Sequence, residues 1–289
     1  MRVAFLGPAG TFTEEALRAS APEGVREQPH ATVYETVMAV EHGEADAGVV
    51  PIENSLEGSV TATLDTLAIE APSLRIVAEL VHPIRHCLAA RPGISLDALQ
   101  RVVSHPQALA QCESFLRDRL PGVARASATS TAEAVRIVLA SPEPWAAIGS
   151  RLSVELYGGA MLAEGIEDRP DNLTRFVWLA RADSSAAPAA AAAAAKTSVV
   201  FWGFNDASPG ALVDVLREFA DRDINLTRIE SRPRRVALGR YMFFVDLEGG
   251  EHEAAIASAL GALSERVETL RVLGSYPTAL SGTPLAKRR

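Results

Sequence analysis

The polar residues able to do chemistry are not scattered in this sequence. They gather where apolar runs give way to helix-forming stretches. Thr11 and Thr13 follow "RVAFLG", and Glu53, Asn54 and Ser55 follow "VVPI". Ser104, His105 and Gln107 follow "RVV", Ser130 and Thr131 precede "AEAV", and Gly149 and Ser150 precede "RLSV". Any one of these alone reads as an ordinary helix cap or surface residue. Taken as a set they suggest helix N-termini converging on one cleft, where unsatisfied N–H groups and the partial positive end of the helix hold carboxylates without a crowd of lysines. A small organic polyanion is the ligand class this implies. The stretch "DNLTRFVWLAR" from Asp171 adds a hydroxyl and a cation at the mouth of a strand. Strand alternation sets Thr174 and Phe176 on one face and Arg175 on the other, to clamp a carboxylate or pair with Asp171.

Other chemistries lack their signatures. "GPAGTF" is not GxGxxG, and there is no GxxxxGK[ST], HExxH, GxSxG or Cys/His cluster, which argues against nucleotide binding, a metal site and an elbow nucleophile. His82 and His86 are four apart in strand-like surroundings, off helical register for a ligand pair. The 289 residues carry 28 basic against 36 acidic side chains, net −8, which disfavours nucleic acid and anionic membranes as partners. Cys87 and Cys112 form no disulfide framework, and both read as buried thiols in a reducing cytosol. "MRVAFLGPAG" is too short an apolar run for a signal peptide, and no stretch suffices for a transmembrane helix. A cytoplasmic protein is expected.

Positioning these groups requires an α/β scaffold. Apolar strand-like runs alternate with helical ones up to Arg181, predicting an α/β sheet with parallel strands. The tract from Ala182 to Lys196 is almost pure Ala, Ser and Pro and reads as a linker. Composition recovers at Thr197. From there to Pro277 the order is β-α-β-β-α-β, a ferredoxin-like unit, with Ser208 expected as N-cap and Pro209 as the first position of its first helix. Residues 278–289 form a tail.

Ordered motifs then identify a resemblance. "GPAGTFTEEA", "GVVPIENSLEGSV", "SHPQALAQC", "NLTRF", "SPGALVDVL" and "NLTRIESRP" occur in sequence over nearly the whole length. The chain resembles prephenate dehydratases with a C-terminal ACT regulatory domain. The resemblance implies a two-lobed catalytic domain of the type II periplasmic-binding-protein kind at 1–181, with lobe one at about 1–80 plus 160–181 and lobe two at about 81–159. It implies crossing strands within "LRIVAELVHPIRHCLAAR" and a return near "LAEGIED". It further implies cofactor-free, metal-free conversion of prephenate to phenylpyruvate in phenylalanine biosynthesis, with Thr174 as catalytic residue. Thr11, Glu53, Asn54, Ser55, Ser104, His105, Gln107, Arg175 and Phe176 are the expected substrate-binding set, with His105 or Glu53 as candidate proton sources. In the ACT domain, Pro209, Gly210, Ala211, Leu212, Glu230 and Ser231 match the family's phenylalanine-binding motifs, a site between two such domains that implies a homo-oligomer, dimer or tetramer. Arogenate dehydration and a non-catalytic anion-binding or sensory role are the alternatives.

Overall fold

The computed structural model describes residues 1–184, 196–204 and 208–278. The expected linker therefore lies mostly, and the tail almost wholly, outside the described residues. In chain order the first part holds β1 (Arg2–Leu6), α1 (Phe12–Ser20), β2 (Arg26–His30), α2 (Val33–Glu41), β3 (Ala47–Asn54), β4 (Gly58–Ser59), α3 (Thr61–Ile69), β5 (Leu74–Pro83), β6 (Cys87–Ala90), β7 (Arg101–Ser104), α4 (Pro106–Gln111), α5 (Glu113–Arg119), β8 (Ala124–Ser127), α6 (Thr131–Ala140), β9 (Trp145–Gly149), α7 (Arg151–Tyr157), β10 (Ala160–Glu164) and β11 (Leu173–Arg181). The second part holds β12 (Lys196–Trp202), α8 (Ala211–Ala220), β13 (Leu226–Pro233), β14 (Tyr241–Glu248), α9 (Ala254–Ser264) and β15 (Thr269–Tyr276). No described helix is long and apolar enough to cross a membrane.

The first part is two-lobed, with one sheet per lobe. Sheet one has the order β2-β1-β3-β11-β5, with β4 on β3; sheet two has the order β10-β6-β9-β7-β8. Neither sheet is purely parallel. Strand β11 returns from the second lobe and inserts antiparallel between β3 and β5. Its central place explains its unbroken apolar run, with Phe176 through Ala180 all buried. Strand β10 pairs with β6 in the second sheet, so residues 160–164 belong with lobe two rather than with lobe one as the sequence reading had them. The polar edge strand β2, "REQPH", carries no apolar alternation and escaped that reading.

The chain crosses between lobes twice, at residues 84–86 and 165–172. The crossings are tied together: Ile84 N–H donates to Asn172 O at 2.9 Å, and Ile166 N–H donates to His86 O at 3.2 Å. Away from this hinge the lobes meet at the loop after β1. Ser150 Oγ donates to Gly10 O at 2.7 Å, and Tyr157 OH to Ala9 O at 2.9 Å. Gly10 has φ +87°, and a Cβ there would sit 2.9 Å from Ser153 Cα, so only glycine allows this approach.

The second part is the expected βαββαβ unit, an antiparallel sheet ordered β13-β14-β12-β15. Helices α8 and α9 cover one face around Phe201, Phe219 and Leu263. The other face is not solvated. Val200, Met242, Phe244, Leu273 and Tyr276 join one core with Leu64, Leu67, Leu74, Ile76 and Val177 of lobe one. Contact is so close that a Cβ at Gly274 would lie 2.1 Å from Ile76 O. Helix α8 begins at Ala211 with Gly210 as its cap, at φ +88°, where the sequence reading expected Ser208.

Candidate active site

A cavity of about 410 Å³ opens between the lobes. Its walls are the ends of strands and the starts of helices. Thr11, Phe12 and Thr13 come from the start of α1, and Thr129, Ser130 and Thr131 from the start of α6. His105 and Gln107 come from the start of α4, and Asn54, Thr174 and Phe176 from the paired ends of β3 and β11. Among the described residues, no Lys or Arg lines the cavity.

The structure divides the expected substrate-binding set. Thr11, Asn54, His105, Gln107, Thr174 and Phe176 line the cavity; Glu53, Ser55, Ser104 and Arg175 do not. The last four have other partners. Ser104 Oγ donates to Ile148 O at 2.7 Å within the second sheet. Ser55 Oγ accepts from Leu173 N–H at 2.9 Å and so clips β3 to the start of β11. Arg175 is turned to the far side of β11. There it contacts Glu53 at 3.2 Å, Glu79 at 3.2 Å and, from the ACT-like unit, Asp246 at 2.8 Å. Burial alone would lower the Arg175 pKa, but the carboxylates around it outweigh that and raise it above the usual arginine value. The same guanidinium, joined by Arg228 at 3.0 Å, overcomes the burial of Asp246 and holds its pKa down at about 2. The cation expected to clamp substrate is thus spent on joining two domains.

Around Thr174 the hydrogen bonds assign their own protons. Backbone N–H groups of Leu56 and Glu57 donate to Asn54 Oδ1 at 2.9 and 3.0 Å. Since N–H can only donate, the other end of the side chain is the NH2 group. Asn54 Nδ2 in turn donates to Thr174 Oγ1 at 2.9 Å and to Asn172 Oδ1 at 2.8 Å. Thr174, 7% exposed and lining the cavity, accepts there, which leaves its own hydroxyl hydrogen available to donate. His105 caps α4, its Nδ1 accepting from Gln107 N–H at 3.3 Å, so its free ring proton is on Nε2. Thr11 likewise spends its hydroxyl oxygen on Glu14 N–H while donating to Leu6 O.

Comparison with known proteins settles the family. The prephenate dehydratase family model matches residues 3–184, and the ACT domain model matches residues 205–265. The chain belongs to the prephenate dehydratase family. A curated prephenate dehydratase from Mycobacterium sp. (strain JLS) is 43% identical over 98% of this chain and 91% of its own. A crystal structure of prephenate dehydratase from Arthrobacter aurescens in complex with L-Phe superposes with TM-score 0.87 at 40% identity, covering 99% of this chain and 92% of that one. A further structural relative, described as the quorum quenching acylase GqqA, superposes with TM-score 0.83 at 31% identity over 96% and 98% of the two chains. The two-lobed catalytic fold followed by an ACT domain is therefore that of the family.

His86, Gln111 and Asn172 are among the lining residues that were not in the expected set. Gln111 lies four residues after Gln107 on α4, on the same helix face, which was a legible signal. Asn172 stands in the quoted "NLTRF". In the sequence, His86 reads only as half of an improbable metal-ligand pair with His82. Among the described residues no group of three or more His, Cys, Asp or Glu is placed to hold a metal ion.

Proposed function

We propose that this chain converts prephenate to phenylpyruvate, carbon dioxide and water, with residues 1–181 as the catalytic domain and Thr174 as the group that acts on the leaving hydroxyl. The C–C pair of the ring carboxylate moves into the ring as carbon dioxide departs. The ring becomes aromatic, and the ring hydroxyl leaves with its electron pair, taking up one proton as water. Reaction and products are at the same oxidation level, so no electron carrier enters the step. What supports the reading is the bond from Asn54 Nδ2 to Thr174 Oγ1, which leaves the threonine a donor aimed at developing negative charge. Threonine is too weak an acid to be the whole proton source. The Nε2–H of His105, which lines the cavity from the opposite lobe, is the alternative. The two carboxylates fall to helix N-termini, of which α1 and α6 bring the first turns to the cavity, because among the described residues no Lys or Arg lines it. A cavity of about 410 Å³ suits a single small ligand.

The acylase relative shares the fold, but amide hydrolysis by Thr174 would need a base to take its proton. Here the neighbour of Oγ1 is an amide donor.

The ACT domain is read as the phenylalanine sensor. Gly210 caps α8 without a side chain, and although Ala211 N–H donates to Ser208 O at 3.2 Å, the start of this helix is read as the seat of a carboxylate. Strand β13 is a sheet edge, with Ile229 exposed and Ser231 on the same face, and it offers a second ACT domain a pairing surface, hence a homo-oligomer. Glu230 points the other way, onto Ser59.

The deciding experiment supplies purified protein with prephenate, and with arogenate in parallel, and follows phenylpyruvate or phenylalanine formation. No turnover of either substrate overturns the reading. Faster turnover of arogenate reassigns the substrate.

A further inference from the structure

The hydrogen bonds that orient Asn54 do not stop at Thr174. Asn172 accepts from Asn54 through Oδ1, so its Nδ2 is the donor that meets Gln111 Oε1 at 3.2 Å. The same Gln111 oxygen lies 3.0 Å from His86 Nε2. An oxygen facing that nitrogen requires it to carry the hydrogen. His86 is 2% exposed, and its other nitrogen, Nδ1, is buried without a partner. The ring is also wedged edge-on against Phe12 at 5.4 Å, and its backbone N–H donates to Glu167 at 2.9 Å. Every rotation of the ring is therefore restricted, and its tautomer is dictated from the far end of the network.

We propose that His86 is a positioning residue acting through Gln111: its Nε2–H, with Asn172, pins the Gln111 oxygen and leaves the Gln111 NH2 group to donate into the cavity toward a substrate oxygen. The proposal rests on the dehydratase reading for its substrate, though not for its geometry. Both pinning residues sit on the two crossings between lobes, His86 on the first and Asn172 at the end of the second. Gln111 sits on α4 of lobe two. Donor direction is thus set by the hinge itself, and a change in lobe angle would redirect it. Without His86 the Gln111 amide is free to turn its oxygen toward the anionic substrate, which repels it. Burial lowers the His86 pKa, in keeping with a neutral ring that donates only from Nε2.

The test has two arms. In the first, ¹⁵N chemical shifts of the imidazole, assigned by comparison with His86→Gln, read the tautomer at neutral pH. A protonated Nε2 with bare Nδ1 is expected, and a proton on Nδ1 overturns the proposal whatever the substrate proves to be. In the second, His86→Leu should lower kcat/KM about tenfold, the scale of one neutral hydrogen bond. His86→Gln, which restores a donor near the Nε2 position, should recover to within about threefold of wild type on the same scale. In the Gln111→Leu background, His86→Leu should add no further loss. Independent multiplication of the two losses, or no rescue by glutamine, overturns the proposal. Should His86→Leu fail to fold, Gln111→Glu asks the same question from the other side. It keeps the acceptor for His86 and Asn172 but loses the donors. It should lose at least as much turnover as Gln111→Leu with an unchanged unfolding midpoint, and wild-type turnover in Gln111→Glu overturns the proposal. A wild-type enzyme inert toward prephenate sinks the substrate reading alone and leaves the tautomer arm standing.

Discussion

Ser59 Oγ donates a 3.1 Å hydrogen bond to Glu230 Oε2, and this bond joins the wall of the cavity to the regulatory domain. Ser59 lies on β4, which pairs with β3 at Glu53 and Asn54, and Asn54 holds Thr174. Glu230 lies in the "IESRP" stretch of β13, one of the two stretches read as sensing phenylalanine. A ligand that moves this strand in one state and not the other changes the wall of the cleft, which is the differential contact allostery requires.

Removing that acceptor should weaken the coupling. Glu230→Ala is expected to shift the phenylalanine concentration that half-changes activity about fivefold, the equivalent of about 1 kcal/mol for one hydrogen bond. Glu230→Gln keeps an acceptor and should shift it less. Full-length enzyme assayed over a phenylalanine series reads the effect. An unchanged midpoint and depth in the alanine variant removes Ser59–Glu230 from the path.

Thr174→Ala should lower kcat by roughly 10²–10³, the cost of losing one donor aimed at transition-state charge. Thr174→Ser keeps the hydroxyl and should retain most of the activity. If alanine raises KM and spares kcat, the hydroxyl serves binding alone.

Thr174, Asn54, His105 and Gln107 were legible because each stands in a short motif at a strand end, and α/β sheets bring such ends together. Arg175 was misread for a physical reason. Alternation told which face it took, but not that the opposite face of β11 would be covered by the ACT sheet carrying Asp246. Sequence pattern gives His86 and Asn172 no place in the site because they lie on the crossings between lobes, whose meeting depends on tertiary structure and not on period. The misplaced cap of α8 has a local cause: Ser208-Pro209 is a good start signal, yet the chain turns through Gly210 at positive φ before the helix begins.

Asn54→Asp probes proton direction with almost no change in shape. The backbone N–H groups of Leu56 and Glu57 would still be accepted, so the loop should keep its form. The second oxygen, however, would face Thr174 as an acceptor and draw the hydroxyl hydrogen out of the cavity. Turnover should fall about 10²-fold, as for loss of the donor itself, with far-UV circular dichroism unchanged. Activity near wild type would mean that Thr174 never acts as the donor.

The junction between domains should respond to acid through Asp246. Its folded pKa of about 2 lies below its ordinary value of 3.8, so the buried pair with Arg175 and Arg228 stabilises the protein fully above about pH 4. As pH falls from about 4 toward about 2 the unfolded chain takes up the proton first, and that stabilisation is lost, on the order of 2 kcal/mol. Asp246→Asn should destabilise the protein at pH 7 by about 3 kcal/mol, since it strands Arg228 and removes one of three carboxylates from Arg175. It should also flatten the stability profile between pH 4 and 2. Chemical denaturation at several pH values reads both effects. Equal slopes in wild type and variant across that window would show that Asp246 is not the titrating group, and an unchanged midpoint at pH 7 would show that the charges across this junction do not hold the domains together.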